Sequence, residues 1–439
     1  MRPRPAVVSP VLVVSCLAVV RPHARLSAQT PQDTGTTLIH AGRVFDSERG
    51  TFLPARDIIV RRGMIDTVGA ELSAPAGARV IDLRRYTLLP GLIDVHTHLL
   101  YLEQVGPGLT MEGVKAVVLE GTPLRALHGA ARGRTFLTAG ITTVRDLGNS
   151  GRFGDVALRT AIEDGSVDGP RMVVSGPGLS PEGGQFPGLQ IGHRAIAEEE
   201  YRIVHGAEDA AMAVRENVTY GADLIKIYSN NTPNPGSLSL EEMRAIVAEA
   251  RRLGVRVAAH ATSDAAVWRA AQAGVNSVEH GYQVSDSTLA LMAKNGVVLV
   301  PTDIDSVGMV RYLDLASASG PRMSAEQVAR YLAAGRDRLR RALKAGVVIA
   351  AGSDNYIDFH MPQGEAAKRV LFAYGGAGMT PVQVLQAATI NAARLLGREG
   401  RTGVIKPRAF ADLIAVDGDP GADIHALERV RFVMMGGTV

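Results

Sequence analysis

Three patterns of apolar and polar positions succeed one another along the chain. Residues 1–28 place Arg2 and Arg4 before an apolar run from Ala6 to Val20, broken only by Ser9, Pro10 and Ser15. A basic start, a short apolar stretch and small residues at Ser27 and Ala28 read as a secretory signal peptide. The run is too short and interrupted for a membrane-spanning helix, so no span is expected in the mature chain. Residues 36–88 alternate β-like runs at 37–40, 57–60, 64–68 and 80–83 with turns at Gly42, Gly63, Gly69 and Pro75. Similar runs return at 412–416 and 430–434. These patterns predict a small antiparallel β-sandwich domain built from residues 36–88 and 403–439, with everything between inserted into it.

Between residues 89 and 402 the period changes. Short apolar runs at 92–99, 141–147, 171–175, 224–229, 256–261, 277–280, 297–301 and 347–353 read as strands. Helical periodicity is clearest at 240–253, 264–273, 324–345 and 381–396, and Ser239 with Glu242 forms a capping box before the first of these. Eight strands with intervening helices predict an α/β fold, a (β/α)8 TIM-type barrel. A doubly wound sheet is the alternative, but no Gly-rich phosphate loop follows any strand. The long connections 100–139 and 176–222 are expected to form lids or substrate walls.

Composition narrows the function classes. Of the 439 residues, 46% are hydrophobic and 21% charged, an ordinary globular balance, and the formal charge of +3 offers no basic stripe for nucleic acid. Removing residues 1–28 deletes Arg2, Arg4, Arg21 and Arg25 and no acid, taking the formal charge from +3 to −1. The single cysteine, Cys16, lies in this segment, so the mature chain has no disulfide framework. Simple export, to a bacterial periplasm or outside the cell, is the expectation. Lipoprotein anchoring at Cys16 is the alternative.

Candidate chemistry begins with His96 and His98. On an extended strand both side chains point the same way, either at a shared metal ion or at solvent. Four further ligand-type residues sit at strand ends. They are Lys226 within an apolar strand, His260 ending the fifth, His280 ending the sixth and Asp354 just after the eighth. In a barrel, that end of each strand is where active sites lie. A lysine inside an apolar strand is costly unless paired or neutralised. Either Lys226 meets a carboxylate, or its amine has a lowered pKa and reacts with carbon dioxide to give a carbamate able to bridge two cations. Tyr228 shares its face and is either a substrate contact or a packing residue. Asp94 is placed on the opposite face of the first strand and Asp146 at the end of the second, both as supporting groups. His40, His128, His193, His205, His360 and His425 lack partners at ligand spacing.

The run from Pro90 to His98, the stretch from Gly140 to Gly148, the ligand positions with their neighbours and the run from Ala388 to Ala393 together resemble the amidohydrolase superfamily. The likeness covers nearly all of residues 36–439 and is nearest to the binuclear, carboxylated-lysine branch of Xaa-Pro dipeptidases (prolidases) and related carboxypeptidases. That resemblance implies one metal on His96, His98, Lys226 and Asp354, and a second on Lys226, His260 and His280. The ions would be zinc, with N6-carboxylated Lys226 bridging them. It further implies hydrolysis of an amide bond in a dipeptide or N-acyl amino acid by a metal-bridging hydroxide, with Asp354 as the catalytic proton carrier. An aromatic N-acyl amino acid such as ochratoxin, a lactone or a phosphotriester are alternative substrates, and a non-catalytic barrel is the remaining alternative. A homo-oligomer is expected. Relatives carry Gly-Gly-His where this chain has Gly183, Gly184 and Gln185, so Gln185 is a candidate altered substrate contact.

Overall fold

A computed structural model describes residues 35–105, 111–186, 188–231, 234–316 and 323–439. The expected export segment, with Cys16, lies outside the described residues. The chain runs through β1 (Thr36–Asp46), β2 (Thr51–Arg61), β3 (Met64–Gly69), β4 (Arg79–Pro90), β5 (Leu92–Thr97), β6 (Ile141–Asp146), β7 (Arg171–Val174) and β8 (Gly178–Ser180). It continues through β9 (Tyr201–Ile203), β10 (Leu224–Tyr228), β11 (Arg256–Ala261), β12 (Ser277–His280), β13 (Val298–Val300), β14 (Leu413–Val416) and β15 (Val430–Met434).

Both chain ends build one six-stranded sheet of order β15-β14-β4-β1-β2-β3. Its apolar positions do not form a flat face. Ile39, Ile58, Val60 and Ile65 share a buried cluster with Leu88, Leu413, Ala415 and Met434, so the sheet curls until its two ends meet. The Ile65 amide donates to the Ala409 carbonyl and the Ala411 amide to that of Gly63, tying edge strand β3 to the segment that enters β14. Closing on itself in this way hides an edge that would otherwise present unpaired backbone groups. The expectation of an all-antiparallel sheet needs one correction: β1 and β4 pair in parallel.

The remaining strands form two parallel sheets, β5-β6-β7 and β13-β12-β11-β10-β8-β9. Backbone bonds join them into a barrel. The Asp223 amide donates to the Val174 carbonyl (2.8 Å) on one side. On the other, Leu299 donates to Val348 (2.9 Å) and Val95 to Ala351 (2.8 Å). Residues 347–352 therefore fill the eighth position, but only Ile349 makes a ladder bridge there, with Leu299. The expected strand at 347–353 is cut short by a Gly-Ser-Asp turn, with Asp354 in the left-handed region (φ 51°). Outward side chains such as Val257, Ala259, Val278 and Leu299 pack against helix residues including Ile246, Val267, Leu289 and Leu339.

Helices Leu240–Arg252, Asp264–Ala273 and Ala325–Lys344 follow the sequence pattern, and the Ser239–Glu242 capping box is formed. One expectation fails. The 381–396 helix divides into Pro381–Ala387 and Ile390–Leu395, because the carbonyls of Ala387 and Ala388 turn aside to accept from the barrel amides of Ala351 and Ile93. The stretches 100–139 and 176–222 hold helices Gly121–Thr138 and Ala207–Thr219 and strands β8 and β9, and between these elements Tyr101, Glu103, Gln185 and Phe186 form part of the wall of the cavity at the barrel mouth. Glycine misled the pattern. A Cβ on Gly129 would meet Leu100 Cδ1 at 2.9 Å, so this glycine lets a helix approach closely and does not mark a loop. Among the described residues, no helix is long and apolar enough to cross a membrane.

Candidate active site

A cavity of about 680 Å³ opens at the C-terminal ends of the barrel strands. It is lined by His96, His98, Lys226, Tyr228, His260, His280, Asp354 and Gln185, so every site residue expected from the sequence meets there.

Two of the histidines reach the cavity only because a strand breaks its alternation. In β5, Ile93 and Val95 pack inward with Val300 and Ala350, while Asp94 faces helix Gln363–Gly376 beside Ala367, Lys368 and Leu371. Strict period two would then send His96 outward. Between Asp94 and Thr97, however, β5 advances three residues while β6 advances two, from Val144 to Asp146. That extra residue is a β-bulge, a device that re-aims side chains. In β12, Glu279 and His280 are neighbours that both face inward, and His280 does so with φ 74°. Such strain in a non-glycine residue persists where surrounding contacts over-determine it, and it clusters at functional sites.

Fixed partners hold each ring. His96 Nδ1 lies 2.9 Å from Glu279 Oε2, and His98 Nδ1 donates to the Gly148 carbonyl at 2.9 Å. Their Nε2 atoms are left facing Asp354 Oδ1, at 3.4 and 3.1 Å. His280 Nδ1 sits 2.9 Å from Thr302 Oγ1 and 3.7 Å from Asp354 Oδ2. His260 stacks edge-on against His280, with centroids 4.5 Å apart, and Gln185 Nε2 is 3.5 Å from His260 Nε2. Tyr228 lies 5.4 Å from the His260 ring, and its hydroxyl donates to Asn149 Oδ1 (3.3 Å). Asp94 Oδ1 accepts from the amides of both His96 (3.1 Å) and Ser353 (2.9 Å), bracing two ligand-bearing segments from behind. Asp146 does the same for the loop after β5, accepting from the Leu99 amide at 2.7 Å.

Electrostatics suit a cation. Burial pulls the His260 imidazole down to about 3, with Lys226 adding to the effect, and it holds His96 and His280 well below the ordinary range. Burial also lowers His98, but the Asp354 carboxylate outweighs it and raises that ring. Burial would raise Asp354, yet His96 and His98 beside it hold its carboxyl below the usual range. Lys226 is 1% exposed, and burial pulls its amine down to about 8. Among the described residues no carboxylate lies within ion-pair distance of it, so the salt-bridge alternative has no partner. The Tyr228 ring centroid lies 5.5 Å from its Nζ.

These donors fit a divalent ion. His96, His280 and Asp354 present donor atoms all within 4.8 Å of one another. The Nδ1 partners fix ring orientation and tautomer as metal-bound histidines require. The lowered His96, His260 and His280 rings favour neutral imidazoles, and these with an ionised Asp354 carboxylate are the protonation states that metal binding needs.

Sequence reasoning gave no role to Glu279 and Arg145, both fully buried. Arg145 Nη2 donates to Glu279 Oε1 at 2.8 Å, and Ser277 Oγ donates to the same oxygen at 2.5 Å. Each is a charge inside an apolar strand, the same signal that singles out Lys226. Of the remaining histidines, His40 pairs with Asp57, His128 lies 3.3 Å from Glu120 and His425 stacks on Phe372, all away from the cavity.

Comparison with known proteins agrees with this geometry. The amidohydrolase family matches residues 87–439. The ochratoxinase of Aspergillus niger is 28% identical over an alignment 472 positions long, covering 98% of this chain and 92% of that protein. Its crystal structure superposes with TM-score 0.75 at 28% identity, over 92% of this chain and 94% of that one. A Xaa-Pro dipeptidase with bound methionine in its active site gives TM-score 0.78 at 29% identity, over 92% of this chain and 99% of that one.

Proposed function

This chain belongs to the amidohydrolase family and is a hydrolase of small molecules, and from that premise we propose that it cleaves the amide C–N bond of a dipeptide or N-acyl amino acid. The observation that carries the reading is the Asp354 carboxylate, 3.1 to 3.7 Å from nitrogens of His96, His98 and His280 in a cavity shared with the buried Lys226. His96, His98, Lys226 and Asp354 would hold one divalent ion, and Lys226, His260 and His280 another. Zinc is our choice of metal, with Lys226 carrying a carbamate formed from carbon dioxide. When bound, such ions supply a nucleophile from water at neutral pH and polarise the scissile carbonyl.

The chain's own residues do the rest. Asp354 faces the histidines as an ionised carboxylate and can take a proton from the attacking water. It then delivers that proton to the leaving nitrogen, so that an acid and an amine result with water the only co-reactant. Tyr228 and Gln185 line the His260 side of the cavity, where they would contact the substrate. Similarity to ochratoxinase makes an aromatic N-acyl amino acid the second reading of the same site. Export of the enzyme and its assembly into homo-oligomers belong to the same proposal.

A panel of dipeptides, N-acyl amino acids, lactones and phosphotriesters, assayed alongside metal quantification, tests the reaction class. Asp354→Asn should lower turnover by roughly 10²–10⁴-fold or more while leaving the circular dichroism unchanged. Full activity in that variant would remove Asp354 from the proton path.

A further inference from the structure

Three neighbouring barrel segments end on a left-handed residue that is not glycine. They are His280 at the end of β12 (φ 74°), Thr302 after β13 (φ 55°) and Asp354 after the eighth segment (φ 51°). The first and last are expected ligands. Thr302 is not, and for a β-branched residue this region is a genuine outlier. Strain of that kind persists only where neighbouring groups hold it in place. The neighbour here is Arg338, 2% exposed in helix Ala325–Lys344. Its Nη2 grips the chain on both sides of Thr302, donating to the Pro301 carbonyl at 3.2 Å and to Asp303 Oδ1 at 2.5 Å. Its guanidinium carbon also lies 5.0 Å from the Tyr282 ring centroid, within cation–π range. Thr302 and Tyr282 are in turn the groups at the His280 ring. Thr302 Oγ1 is 2.9 Å from His280 Nδ1, and the Tyr282 hydroxyl is 3.4 Å from that nitrogen and 3.3 Å from Thr302 Oγ1.

An ion pair serving stability alone gains little from such burial, because desolvation offsets the attraction. Arg338 Nε is moreover left without a hydrogen-bond partner. What the buried guanidinium achieves is position. We propose that Arg338 is a positioning residue for the metal ion held by His280, clamping the turn at Thr302 so that Thr302 and Tyr282 fix the His280 ring. The inference rests on the two-ion reading of the site. Arg338 is not among the residues that line the cavity, so it acts through these two neighbours and touches neither substrate nor ion.

The test uses the full-length protein, prepared free of zinc and then titrated with zinc against a competing chelator. Histidine-ring cross-peaks in NMR spectra give a readout independent of turnover. Arg338→Met should weaken one of the two zinc ions about 10–100-fold, the usual effect of losing a group that orients a ligand, and leave the other in place. In that variant the first equivalent of zinc should move the His98 cross-peak and not that of His280. Already without zinc, Arg338→Met should shift the His280 cross-peak, while His98, held by the Gly148 carbonyl, stays where it is. Arg338→Gln, neutral and shorter, serves if the first variant does not fold. Thr302→Ala should weaken the same ion, and the double variant should match either single one within about twofold, because both remove one clamp. Arg340→Met, exposed on the same helix, is the control and should change neither readout. Losses that multiply in the double variant, an equal loss for both ions or an unmoved His280 cross-peak overturn the clamp and leave the two-ion reading intact. If the wild-type protein binds fewer than two zinc ions, that reading falls. The clamp is then upheld by a zinc-free His280 cross-peak that Arg338→Met moves, and overturned by one that it does not.

Discussion

Glu279 shows how much of the site is held by a residue that would touch no substrate. It fixes His96 through one carboxylate oxygen and neutralises Arg145 through the other, with all three groups buried. Glu279→Gln should weaken metal affinity about 10–100-fold, the usual effect of losing a group that orients a ligand. It should also lower stability by roughly 3–5 kcal/mol, because the Arg145 guanidinium is left buried without a counter-charge. Metal titration and thermal melts measure the two effects separately. Lys226 makes the opposite case, a buried amine with no carboxylate among the described residues to pair it. Lys226→Ala should strip bound metal and activity, and millimolar short carboxylic acids should restore part of both, as read by metal content and turnover. Failure of every small carboxylate to restore metal would count against the carbamate.

The next scale is the strand ending. Gly352 is where the eighth barrel segment passes His96, and a Cβ there would sit 2.4 Å from Val300 Cγ1 and 2.8 Å from His96 Cβ. Neither neighbour is a flexible chain end, so the clash must be relieved by moving the strand or the histidine. Gly352→Ala should destabilise by about 1–3 kcal/mol and reduce metal content together with it. Gly376→Ala is the control, since nothing lies within 4 Å of its added Cβ. It should leave metal content unchanged in the same assay. Elements with plain local chemistry, such as the capped helix Leu240–Arg252, were legible residue by residue. The Gly121–Thr138 helix was not, because its glycines answer to neighbours remote in sequence.

At the scale of the molecule, the sheet from the two chain ends and the barrel are not separable bodies. Successive residues of β14 face different clusters, Leu413 and Ala415 into the curled sheet and Ile414 and Val416 into the main barrel core. A chain ending after Thr402 loses β14 and β15 and uncovers both. It should show no cooperative thermal transition where the full chain shows one, a comparison that scanning calorimetry makes directly.

What the sequence determined by itself was the set of polar residues that line the cavity, the order of barrel strands and the contribution of both termini to one sheet. Each of these is written in local chemistry: apolar runs of strand length, turns between them, and costly polar side chains at strand ends. Tertiary structure alone decided how those side chains meet. By simple alternation His96 would face the helices, and so would His280 once Glu279 faces inward. A bulge in β5 and a left-handed residue closing β12 turn both toward Asp354. Distortions of that kind are held in place by packing and hydrogen bonds from residues far along the chain, such as Glu279 and Thr302. A pattern read along one strand carries no record of them.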